Sequence, residues 1–84
     1  MVTVLFFASV RERAGQARQQ LDLPGTVATV SDLIGHLRAA DPRLAAALAV
    51  PTVLRAAVNQ QMVSLDAALA DGDEIALFPA VTGG

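Results

Sequence analysis

Two short runs near the ends of this chain are apolar on both of their alternating faces, a pattern that suits strands in the interior of a sheet rather than at its edge. In the first, Val2, Val4 and Phe6 point one way and Thr3, Leu5 and Phe7 the other. In the last, Glu74 to Phe78, Ile75 and Leu77 share one face and Ala76 and Phe78 the other. Two such strands belong at the middle of a sheet, side by side, so the first and last elements of the chain are expected to be neighbours there.

The residues between them supply the rest of a two-layer fold. Ser9 to Gln16 is polar and contains a glycine, and after it Gln19, Leu21 and Leu23 share one face of a second strand, which predicts an N-terminal hairpin ended by Pro24-Gly25. Thr29 with Asp32 resembles a capping box, and Val30, Leu33, Ile34 and Leu37 follow at helical spacing, which predicts the main helix over Val30 to Ala40. Asp41-Pro42 opens a short second helix carrying Leu44, Ala47 and Leu48 on one side, up to Val50-Pro51. Leu54, Ala56 and Val58 alternate as a strand, Asn59-Gln60 turns, Met62-Val63 pairs back, and Asp71-Gly72-Asp73 turns the chain into its final strand. The expected class is α+β, a mixed sheet with one main helix packed across it and a short second helix.

With 84 residues there is room for one modest core, and with three Phe and no Trp or Tyr that core is aliphatic. The chain lacks Cys, which excludes a disulfide framework and a thiolate centre and fits a reducing cytoplasm. It lacks Lys, which excludes Schiff-base catalysis, and its one His, His36, sits beside the apolar stripe of the main helix without an evident catalytic partner. A formal charge of −2 with no basic stripe argues against nucleic acid, and no apolar run approaches bilayer length. Asp71, Asp73 and Glu74 are read as turn chemistry rather than a metal site, because three carboxylates on one tight turn lack further converging ligands.

What remains is the tail. Gly83-Gly84 follows the last strand after an uncharged stretch, and a terminus without side chains makes a slender, unhindered carboxylate that fits a narrow channel in another protein. Residues 79–84 span on the order of 20 Å when extended. Pro79 restrains the base of this tail, Val81 and Thr82 continue it, and the two glycines free its tip.

Three segments in order, VLFFASVRERAG from Val4, AAVNQQMVSLD from Ala56 and LADGDEIALFPAVTGG from Leu69, resemble the small subunits of molybdopterin synthase, within the β-grasp (ubiquitin-like) sulfur carriers. Lengths and spacings agree over essentially the whole chain, least clearly between Asp41 and Thr52, and Ala80 stands where many members carry a second proline. The resemblance implies a single β-grasp domain over residues 1–84, with 79–84 as a flexible tail, and a carrier that is not a catalyst on its own. An adenylyltransferase of the ubiquitin-activating type would use ATP to adenylate Gly84, and a sulfur donor would convert it to a thiocarboxylate. The large synthase subunit would receive the tail and pass the sulfur to cyclic pyranopterin monophosphate, in a heterotetramer of two small and two large subunits. No permanently bound cofactor and no metal are implied.

Phe7 and Phe78 fall on the sheet face opposite the main helix, with Met62 joining them, and the resemblance makes this face the partner interface. A small second core under the connector is the competing role for these side chains. Arg11 lies in the matching VRE segment and is assigned to the interface, whereas Arg13 reads equally well as a solvated charge. Two other functions share the tail chemistry or the fold: a sulfur carrier of the thiamine thiazole type, and a ubiquitin-like modifier or interaction module.

Overall fold

The computed structural model describes residues 1–49 and 54–80. Five strands and three helices run in the order β1 (Val2–Phe6), α1 (Ala8–Ala14), β2 (Arg18–Leu21), α2 (Val30–Ala40), α3 (Pro42–Ala47), β3 (Leu54–Val58), β4 (Gln61–Val63) and β5 (Glu74–Pro79). The strands form one mixed sheet in the order β2-β1-β5-β3-β4, with β5 at its centre. β1 and β5 are parallel neighbours, Val4 opposite Ile75 and Phe6 opposite Leu77, and the other pairings are antiparallel. The expected adjacency of the first and last strands is therefore observed.

One face of this sheet carries the core. Val2, Val4, Phe6, Ala56, Ile75 and Leu77 are buried against Val30, Leu33, Ile34 and Leu37 of α2, with Val10 of α1 and Leu44 of α3 completing the cluster. The capping box predicted for α2 is formed: Thr29 Oγ1 accepts from the Asp32 amide at 3.1 Å, and Asp32 Oδ2 accepts from the amides of Thr29 at 3.2 Å and Ala28 at 3.1 Å. Asp41 caps α3 by accepting from the Arg43 amide at 2.8 Å. The β3–β4 hairpin turns on Asn59 (φ 51) and Gln60 (φ 69), the two left-handed residues that a two-residue primed turn requires.

Two expectations are corrected. The segment from Ser9 to Gln16, expected as a hairpin loop, is mostly helix: β1 and β2 pair antiparallel, but α1 joins them. Val10 and Ala14, one helical turn apart, are both buried, and that spacing is what ties this otherwise polar segment to the core. Gly15, in the left-handed conformation (φ 73), ends the helix by donating its N–H to the Arg11 carbonyl. The fold thus has two short helices beside the main one. In addition, Pro79, expected at the base of the tail, closes β5 opposite Leu54. It stands beyond the last residue of β1, where an absent N–H breaks no ladder on that side.

Candidate functional site

The sheet face turned away from the helices is built by alternation. Its register sets Arg18, Leu5, Ala76, Ala57 and Met62 in one row across β2, β1, β5, β3 and β4, and Phe78 opposite Arg55 in the next row. Phe7 continues past β1 in extended geometry (φ −128, ψ 156) and donates its N–H to the Leu77 carbonyl at 3.2 Å, which places it alongside Phe78. Phe7 is 45% and Met62 55% exposed, whereas Phe78 is half-buried among its neighbours. The structure therefore brings Phe7 and Phe78 together, and sets Met62 two strands away, joined to them through Ala76 and Ala57. Leu65, in the loop after β4, is a further exposed apolar side chain that alternation alone did not reveal, since it lies outside any strand.

Local backbone geometry presents Phe7. Ala8, the next residue, has φ 54, a left-handed conformation that costs a side-chain-bearing residue about 1–3 kcal/mol. It breaks β1 sharply into α1, so that Phe7 stays out on the open face. Arg11 follows one helical turn later, exposed, its amide bonded to the Phe7 carbonyl. An open groove of about 570 Å³ runs beside it, lined by Ala8, Arg11, Glu12, Gly15, Gln16 and Ala17.

The opposite end of the sheet is held by turns. Asp73 accepts from Asn59 Nδ2 at 3.0 Å and from the Ala70 amide at 2.8 Å, and Asn59 Oδ1 accepts from the Glu74 amide at 3.0 Å. The Met1 ammonium bonds Asp71 and lies 3.7 Å from Asp22. These carboxylates are thus engaged in turns and strand starts. His36 is half-buried on α2.

β5 ends at Pro79 at the same end as Phe7 and α1, and Ala80 leads from it. The tail residues Val81, Thr82, Gly83 and Gly84 lie outside the described residues, as do Val50, Pro51 and Thr52 of the connector. A main helix flanked by two short ones on a mixed sheet, whose central strand is the last of the described strands and is parallel to the first, defines a β-grasp (ubiquitin-like) domain.

Comparison with known proteins narrows this class. The model of the ThiS family matches residues 4–84. The chain is 49% identical over 86 residues to the molybdopterin synthase sulfur carrier subunit of Escherichia coli (strain K12), with 100% of both chains covered. It superposes with TM-score 0.75 on the small archaeal modifier protein 1 of Haloferax volcanii, at 32% identity over 95% of this chain and 97% of that one. A complex of subunits 1 and 2 of the molybdopterin-converting factor from Helicobacter pylori contains a chain of the same fold, at 25% identity, TM-score 0.63, and 99% and 97% coverage. The chain belongs to the ThiS family.

Proposed function

We propose that this protein is the sulfur-carrier subunit of a molybdopterin synthase. The observation that carries the proposal is full-length identity of 49% to a protein of that name, in a fold whose last strand leads the tail out of the sheet centre. The division of labour follows from the chemistry. A carboxylate is a poor acyl donor until one oxygen becomes a good leaving group. Attack of the Gly84 carboxylate on the α-phosphate of ATP, with loss of pyrophosphate, makes AMP that leaving group. The sulfur of a persulfide then displaces AMP, and a thiol releases the C-terminal thiocarboxylate. The activating enzyme supplies the first step and a separate sulfur donor the second. The large subunit receives the tail, as the pairing of subunits in the Helicobacter pylori complex supports, and the sulfur passes there to cyclic pyranopterin monophosphate. Phe7, Phe78, Met62 and Arg11 dock this chain on that subunit, and Pro79 sets the direction in which Val81, Thr82 and Gly83 extend. The absence of Cys supports a reducing cytoplasm as the site of action.

Likeness to the archaeal modifier favours a second use of the same activated tail, acylation of amines on other proteins. Incubation with an activating enzyme, ATP and a sulfur source, followed by intact-mass measurement, distinguishes the two. Exchange of one terminal oxygen for sulfur is expected, and an unchanged mass in an assay competent for the Escherichia coli relative overturns the carrier reading. Deletion of Gly84 is expected to leave folding and docking intact while abolishing sulfur transfer.

A further inference from the structure

Many of the charges that flank β1 and β5 are sorted along the direction of these strands. Because these strands are parallel, both begin at one end of the sheet, and there stand Asp71, Asp73, Glu74 and, next to the start of β1 by register, Asp22. At the other end, where β5 leads to the tail, stand Arg11 and Arg13 on α1, Arg18 at the start of β2 and Arg55 opposite Phe78. Arg43 joins them, its Nη1 3.0 Å from where a side chain on Gly15 would begin. Five arginines are thus gathered at the end of the sheet where β5 finishes, with Glu12 and, beside Arg43, Asp41 among them, in a chain whose formal charge is −2. No carboxylate lies within ion-pair distance of any arginine among the described residues.

Two of these arginines belong to the open face itself. Arg18 stands beside Leu5 at one flank and Arg55 beside Phe78 at the other, both exposed, with Leu5, Phe7, Ala76, Phe78 and Ala57 between them. Three strand spacings and two residues of strand separate them, about 16 Å on the diagonal.

We propose that Arg18 and Arg55 are specificity-determining residues that frame the apolar strip, and that the large subunit presents carboxylates on the rim of the surface that receives it. This rests on the docking face assigned under the proposed function. A guanidinium at the edge of an apolar contact is desolvated as the partner arrives, and a carboxylate placed opposite it compensates through paired hydrogen bonds. An acidic rim also turns the cationic end of the carrier toward the partner, so the tail leads the approach despite the net negative charge. Neutral or basic rims would leave both arginines uncompensated, which discriminates against other carriers' partners.

Association of the full chain with the large subunit, followed by stopped flow, tests the proposal. For the unaltered chain the association rate is expected to fall about tenfold as ionic strength rises from roughly 0.01 M to roughly 0.15 M, where the screening length shrinks from about 30 Å to about 8 Å. The Arg18→Glu/Arg55→Glu double variant, checked for native circular dichroism, is expected to associate at least about tenfold more slowly at low salt and to lose most of that salt dependence. Arg18→Lys/Arg55→Lys is expected to keep the salt dependence, and Asp22→Asn, at the far end, to change the rate less than about twofold. A double charge reversal that associates at the unaltered rate with the unaltered salt dependence overturns this proposal alone. Failure of the unaltered chain to bind the large subunit at all overturns the docking face beneath it.

Discussion

Side chains that hold backbone ends together carry much of the order in this small domain. The Asp32 carboxylate accepts from the backbone amides of Ala28 and Thr29, and these bonds lower its pKa below the ordinary 3.8, with desolvation opposing them and the Thr29 side chain adding a lesser lowering. A carboxyl whose folded pKa is depressed stabilises the fold fully above its unfolded value, and that stabilisation is lost as pH falls through the folded value. Asp32→Asn is therefore expected to melt below the unaltered protein at neutral pH, with the difference shrinking below about pH 3.8 and vanishing once both forms are protonated. A difference in melting temperature that is constant from neutral pH to pH 2 would contradict this. Gln60 is a second informative residue. Its φ of 69 is one that glycine adopts without strain, whereas the left-handed region costs other residues about 1–2 kcal/mol. After allowance for the greater freedom of glycine in the unfolded chain, Gln60→Gly is expected to stabilise the β3–β4 hairpin by roughly 0.5–1 kcal/mol, measured as a higher urea midpoint. Asn59, its neighbour, serves the turn both by tolerating φ 51 and by bonding Asp73 and Glu74, so it links two turns that are distant in sequence.

At the scale of elements, legibility followed the length and amphipathicity of each segment. α2 announces itself by Thr29, Asp32 and four apolar residues at helical spacing, and the structure reproduces its range and its cap. α1 does not, because only Val10 and Ala14 face the core and the rest of the segment is polar; neither residue is large, and a glycine follows at once. Gly15 is read from sequence as a loop residue, yet it is the left-handed cap that ends a helix, and a side chain there would meet Arg43. Gly35 poses the opposite case. It lies inside α2 with open space where a Cβ would stand, so Gly35→Ala is expected to raise stability by about 1 kcal/mol, read from chemical denaturation, and a loss of stability would show that something packs on that face.

The whole molecule is organised around the parallel pair of β1 and β5. The sheet closes only when the final strand slides between β1 and β3, and its buried contributions, Ile75 and Leu77, precede the tail. Deletion of Gly84, which has no side chain to pack, is expected to change stability by no more than about 0.5 kcal/mol and so to shift the melting temperature by less than about 4 °C. The same variant is expected to lose sulfur transfer entirely, and that separation of stability from activity is what a carrier predicts.

The chain's pattern by itself determined the strand periods, the helix and capping box of α2 and the two aromatic residues of the open face, because these depend on residue spacing along a local segment, and the two-sided apolar character of the first and last strands pointed to their central places. Tertiary structure alone decided that α1 is a helix, that Pro79 belongs to β5, that Met62 stands apart from Phe7 and Phe78, and that Arg18 and Arg55 flank the same strip. The first depends on Val10 and Ala14 packing against the core, and the others on register between strands far apart in sequence, which is set by which faces bury together, a quantity that no single segment contains.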